Sequence, residues 1–214
     1  ENLKEKVIKM GASMLEVEPD EVTFNGKCVE KKDQSAKVTL PEIGVRGTFG
    51  NNDALQGTEN CGAEISPPPY MVGIAEVEID KETGSVELID YVAVVDCGTP
   101  INPNLARVQT EGGIAQGIGM ALFEDIQYTE KGAMANNSLM QYKIPSRLDV
   151  GKIRVEFKPS YEKSHPFGAK SIGEIVIDTP CPAIANAVYN AVGVRIRELP
   201  ITAEKVFKGM NGLD

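Results

Sequence analysis

Few side chains in this sequence have both the type and the setting for chemistry. Three carboxylates stand in ordered-looking contexts: Asp96, Glu111 and Glu174. Glu174 closes the stretch Gly168-Ala169-Lys170-Ser171-Ile172-Gly173-Glu174, a loop of glycines and small residues. Three β-branched apolar residues, Ile175-Val176-Ile177, follow it, and then a helix start at Asp178-Thr179-Pro180. A flexible loop so delivers one acid to the edge of an apolar segment. Desolvation there raises a carboxylate pKa and suits it to general-base work near neutral pH. The same spacing also fits an exposed last residue of a loop, the commoner fate of a carboxylate. Glu111 with Glu174 could serve acid–base hydrolysis if they stood roughly 5–10 Å apart. Few aromatics and no Trp argue against a sugar substrate.

Other chemistries are excluded by what the chain holds. His165 is the only histidine, so neither a His-based triad nor a multi-histidine metal site can be built from this chain. The cysteines, Cys28, Cys61, Cys97 and Cys181, are widely spaced with no CxxC pair. A zinc knuckle is therefore not expected, and each reads as a small buried hydrophobe. A net charge of −9 without a Lys/Arg run argues against a nucleic-acid partner. No stretch approaches the roughly 18 apolar residues of a membrane span. No secretion signal is seen, so disulfides are not expected and the cytoplasm is the expected location. The chain opens on Glu1, not Met, which reads as a cut chain, a processed chain or a piece of a larger polypeptide.

The elements that must position these residues alternate between periods. Residues 2–16 carry apolar side chains at helical spacing, and Val22–Val29 reads as a hairpin around Asn25-Gly26. Residues 31–69 show no clear element, which is long for a compact domain. Tyr70–Ile79 and Val86–Val95 form the best strands, joined by the acidic turn Asp80–Gly84. Asn102 as N-cap and Pro103 in the first turn open a helix to about Leu122. That helix contains Gly112, Gly113, Gly117 and Gly119. Each costs about 0.8–1 kcal/mol relative to Ala inside a helix. Close backbone approach of a ligand or of a packed element must offset that cost. Phe123–Thr129 with Gln141–Ile144 suggests a further hairpin, and Lys152–Phe157 a short strand. Pro182–Val192 reads as a helix ending at Gly193. Arg197–Ile201 reads as a strand, and Thr202–Lys208 as a last helix. The sum is an α+β (mixed α/β) fold of antiparallel hairpins packed with helices. It reads as one unit over 1–214, or as two subdomains of about 1–69 and 70–214. Gly113–Gly119 does not make a dinucleotide fingerprint, because its glycines lie inside the helix, and no P-loop is present.

Three segments in order carry a resemblance. Asp96-Cys97-Gly98-Thr99-Pro100-Ile101-Asn102-Pro103, Gln109-Thr110-Glu111-Gly112-Gly113-Ile114-Ala115-Gln116-Gly117-Ile118-Gly119 and the Gly168–Glu174 loop resemble the molybdenum-binding subunit of the xanthine dehydrogenase/aldehyde oxidase family. The stretches Pro182–Ala187 and Gly193–Pro200 resemble that family's C-terminal part. Val108, where the family commonly has Gly, and Ser171, where Gly is frequent, depart from its pattern.

The resemblance implies the second molybdopterin-binding domain of a molybdenum hydroxylase. Such enzymes hydroxylate an N-heterocycle or an aldehyde with water as the oxygen donor. It implies Glu174 as the base toward that oxygen, and Gln109, Gly112 and Asn102 as residues at the pterin. Asn102 reads equally as the helix N-cap. Molybdenum is then held through the pterin, with no direct protein ligand here, and the cytosine dinucleotide form stays open. The implied partners are the rest of the molybdenum subunit, iron–sulfur (Fe–S) and FAD subunits or domains, and a small-molecule substrate. One wall of a cofactor site would be inactive alone. The rival reading is a non-catalytic assembly module of a larger oxidoreductase complex.

Overall fold

A computed structural model of the chain describes residues 1–50, 55–60, 62 and 65–213. It divides into two compact units, Glu1–Gly62 and Ala63–Asp214.

The first unit is a small sheet under two helices. Helix α1 (Asn2–Met14) buries Val7, Gly11 and Ala12. Strands β1 (Val22–Phe24), β2 (Cys28–Lys31) and β3 (Lys37–Thr39) pair antiparallel in the order β1-β2-β3. Helix α2 (Leu40–Phe49) follows. A Cβ on Gly11 would stand 2.6 Å from Val29 Cβ, so glycine lets α1 settle onto β2. Asn25-Gly26 suits a type I′ turn with positive φ at both residues, and the β1–β2 turn is of another kind. Only Gly26 takes a positive φ (+88°), and Asn25 Oδ1 instead accepts from the N–H groups of Lys27 and Cys28 at 3.0 Å each. Asn25 is thus the side-chain cap of a turn centred one residue later.

The expectation of an element-free stretch over 31–69 is corrected by β3 and α2. Thr39 and Glu42 form a capping box, with Glu42 Oε2 accepting from Thr39 N at 2.8 Å and from Thr39 Oγ1 at 2.7 Å. Gly44 and Gly47 interrupt the helical pattern inside α2. The remainder of that expectation falls partly on residues outside those described, as does Cys61.

The second unit carries the chemistry-bearing segments. Strands β4 (Tyr70–Ile79) and β5 (Val86–Asp96) pair antiparallel from Tyr70↔Asp96 to Ile79↔Val86. Helix α3 (Pro103–Leu122) leads to β6 (Lys152–Phe157), which joins β5 in parallel. Two helices, α4 (Ile175–Asp178) and α5 (Pro180–Val192), follow the Gly168–Glu174 loop, and α6 (Ala203–Asn211) ends the unit. Helix α5 ends at Gly193 with φ +73°. Thr202 Oγ1 caps α6 by accepting from Lys205 N at 3.2 Å.

The core of this unit gathers Tyr91, Val95, Ile114, Ile118, Ile184, Val188 and Val206 between sheet and helices. The opposite face of β4 is open: Tyr70, Val72 and Ile74 are each more than 60% exposed. The α+β class holds, with a parallel β5–β6 pair added to the expected antiparallel ones. One expected hairpin and one expected strand are absent. Between Phe123 and Ile144 only an isolated bridge, Tyr128↔Met134, forms, and Arg197–Ile201 is irregular.

Candidate functional site

The glycine row of α3 resolves into distinct roles. A Cβ on Gly113 would run into Val176 of α4. One on Gly117 would lie 2.7 Å from Pro180 Cγ and 2.9 Å from the Ile177 carbonyl oxygen. These two, one helical turn apart, let α4 and the start of α5 lie directly on α3. Gly119 is crowded by Glu124 and Pro145. Gly112 is different, because no heavy atom lies within 4 Å of a Cβ placed there. Helix geometry turns Gly112 away from its neighbour by about 100°, onto the face that α4 leaves uncovered.

That face forms one side of a groove of about 380 Å³, lined by Val108, Gln109, Gly112, Gly113, Gln116, Gly173, Glu174 and Ile177. Gln109, Gly112 and Gln116 share one stripe of α3 by spacing. Gly173 and Glu174 come from the far loop, where α4 docks through buried Val176 on Gly113. Three of the four residues expected at a site, Gln109, Gly112 and Glu174, thus meet across one groove.

Asn102 does not line it. Its side-chain oxygen caps α3, accepting from Asn104 N and Leu105 N at 3.1 Å each. Glu111 does not line it either, so the groove itself holds a single carboxylate, Glu174. Glu174 is exposed on the groove wall, so the burial expected for it is not supplied by the described residues. Sequence reasoning passed over Gln116, although it stands seven residues, two helical turns, beyond Gln109.

The lining suits a flat, polar heterocycle. Gly112 and Gly173 present bare backbone from two separate segments, and a Cβ at either would project into open space. Gln109 and Gln116 bring amides that donate and accept at once, matching an edge of alternating donors and acceptors such as a pterin's. Among the described residues no group of three or more His, Cys, Asp or Glu is placed to hold a metal ion.

The loop behind Glu174 is tied to the end of β5. Thr99 N–H donates to the Gly168 carbonyl at 2.8 Å and Lys170 N–H to the Cys97 carbonyl at 2.7 Å. Lys170 Nζ meets Asp96 Oδ2 at 2.8 Å, with only 7% of the lysine side chain and 22% of the aspartate's exposed. Burial alone would push the Asp96 carboxyl up. The hydrogen bonds from Lys170, Gly98 N–H and Ser160, with the lysine's charge, outweigh it and hold the pKa at about 2. Burial pushes the Cys97 and Cys181 thiols up, away from reactivity. Cys28, Cys97 and Cys181 are all free. Among the described residues no helix is long and apolar enough to cross a membrane.

Comparisons with known proteins bear on this groove. A family model described as a molybdopterin cofactor-binding domain matches residues 1–151. That span includes Gln109 and Gly112 and stops short of Glu174. A probable hypoxanthine oxidase of Escherichia coli (strain K12) is 35% identical over 215 residues, covering 98% of this chain and 22% of that protein. The gamma subunit of a 6-hydroxypseudooxynicotine dehydrogenase complex of Paenarthrobacter nicotinovorans is 32% identical over 98% of this chain and 28% of its own length. Among solved structures, quinoline 2-oxidoreductase from Pseudomonas putida 86 matches with a TM-score of 0.74 at 27% identity, over 100% of this chain and 28% of that one. The chain therefore spans between 22% and 28% of the length of these relatives.

Proposed function

The chain belongs to the molybdopterin cofactor-binding domain family, and on that premise we propose that it forms one wall of the cofactor site of a molybdenum hydroxylase. The groove carries this reading. It joins Gln109 and Gly112 to Glu174 across more than sixty residues of sequence and leaves two glycines open to a ligand. Residues Gln109 and Gln116 would hold the pterin edge through their amides, and Gly112 would let it approach the helix backbone. When bound, the cofactor supplies a Lewis-acid centre and a two-electron acceptor.

Glu174 stands across the groove from those amides. Its carboxylate takes the proton released as a water-derived oxygen adds to the substrate carbon. The overall change is a C–H bond and water converted to C–OH, two protons and two electrons. A base needs only hydrogen-bond reach to that proton, and a bound metal lowers the basicity required. Glu174 is desolvated when cofactor and substrate fill the space in front of it. The electrons leave through iron–sulfur and FAD partners, and a cytosine dinucleotide on the pterin stays compatible with this wall. Relatives named for hypoxanthine and quinoline favour an N-heterocycle as substrate, with an aldehyde the second choice.

A second reading, a docking module without catalytic residues, draws on the open apolar face at Tyr70, Val72 and Ile74. Gly112→Leu in the assembled enzyme separates the two. Leucine is a good helix former and its Cβ would meet no heavy atom within 4 Å, so the helix is kept while the groove is filled. The catalytic reading predicts an assembled complex depleted of molybdenum and pterin. Full loading would leave only the docking reading.

A further inference from the structure

Four residues before Glu174, the chain is held by a buried charge that touches nothing in the groove. Lys170 Nζ reaches Asp96 Oδ2 at 2.8 Å and the Pro68 carbonyl at 3.4 Å, and lies 5.3 Å from the centre of the Tyr70 ring. Its side chain therefore touches the approach to β4, the first residue of β4 and the last residue of β5. Asp96 is fixed in turn. Its Oδ1 accepts from Gly98 N at 2.9 Å, and Ser160 Oγ donates to Oδ1 at 2.8 Å and to Oδ2 at 3.0 Å. Gly98, with φ +65°, bridges to Ala169, and a Cβ there would stand 2.8 Å from Lys170 N. The start of the loop is thus locked to the end of β5 by side chain and backbone together.

Its other end is locked as well, since buried Val176 sits on Gly113. Between these anchors Ile172 packs on the core, while Gly173 and Glu174 are exposed. Two fixed ends a few residues apart leave Glu174 little freedom in depth or direction. An apolar side chain could fill the Lys170 site at similar stability, because buried ion pairs are often replaceable at little net cost. What an ion pair adds is direction, through short charge-assisted hydrogen bonds.

We propose that Asp96 and Lys170 are positioning residues for Glu174, setting where its carboxylate stands across the groove. The proposal rests on the reading of Glu174 as the base. The test uses the loaded enzyme with Lys170→Met, with Asp96→Asn and Lys170→Met together, and with Lys170→Arg. The double variant removes both charges, so no unpaired ion is left buried. Its urea midpoint and molybdenum content are expected to stay near the parent's. Its kcat falls by about ten- to a hundredfold with KM little changed, as expected for a reacting group displaced by up to about 1 Å. Amide hydrogen exchange of residues 168–174 speeds up in the same variant, and Lys170→Arg recovers part of kcat.

A double variant with the parent's kcat overturns the proposal. So does one in which kcat, molybdenum content and urea midpoint fall together, since that marks a structural role only. Glu174→Gln in the same enzyme tells the two failures apart. If it retains turnover, the reading of Glu174 is wrong. If it abolishes turnover while the double variant is unaffected, the positioning role alone is wrong.

Discussion

Adjacent glycines in one helix should respond to the same substitution with opposite consequences. Gly112→Ala and Gly113→Ala both gain the helix propensity of alanine over glycine, about 1 kcal/mol. At Gly112 nothing lies within 4 Å of the new methyl group, so the gain is kept. At Gly113 the methyl is driven into Val176, a fully buried side chain whose β-branched χ1 has little freedom to turn aside. Overpacking of that kind costs about 1–3 kcal/mol. The propensity gain is common to both variants, so their difference isolates the packing cost. With a urea m-value of about 2–3 kcal/mol/M, the two midpoints should separate by roughly 0.5–1 M, with Gly112→Ala above the parent. Urea unfolding of the cofactor-free chain, followed by far-UV circular dichroism and tyrosine fluorescence, reads this directly because the chain has no Trp. Equal midpoints, or Gly113→Ala the more stable, would show that α4 does not lie on α3 through Gly113. The geometry that brings Glu174 to the groove would then fail with it.

Two further outcomes follow from the same structure. Asp96 has its pKa lowered from 3.8 to about 2 in the folded chain. That shift corresponds to roughly 2 kcal/mol of stability, fully present above the unfolded value and lost as pH falls through the folded one. The gap in urea midpoint between parent and Asp96→Asn should accordingly narrow between about pH 4 and pH 2; a gap independent of pH contradicts the pairing. Asn102→Ala should cost about 1 kcal/mol through loss of the α3 cap, measured as a drop in unfolding midpoint, and an unchanged midpoint refutes the cap.

The sequence made the local signals plain. Asn102-Pro103 marks the start of α3 and Gly193 the end of α5, because caps and stops are written in one or two residues. Thr39 and Glu42 wrote the start of α2 just as clearly, but Gly44 and Gly47 hid the period that should have confirmed it. Pairings were less legible. Phe123–Thr129 reads as a strand, yet the place beside β5 is taken by β6, more than fifty residues on from β5. The site shows the same division. Glu174 and Gln109 stand out by motif, whereas the difference between Gly112 and Gly113 lies in what faces each side of the helix. The Asp96–Lys170 pair spans 74 residues, and nothing local to either residue announces the other.

Turnover of the molybdenum-loaded enzyme with Glu174→Gln tests the central claim most directly. Glutamine keeps the shape and the hydrogen-bonding reach of the side chain and removes its basicity. The account predicts an enzyme that retains molybdenum and pterin and loses hydroxylation. Undiminished hydroxylation at full molybdenum content would contradict it.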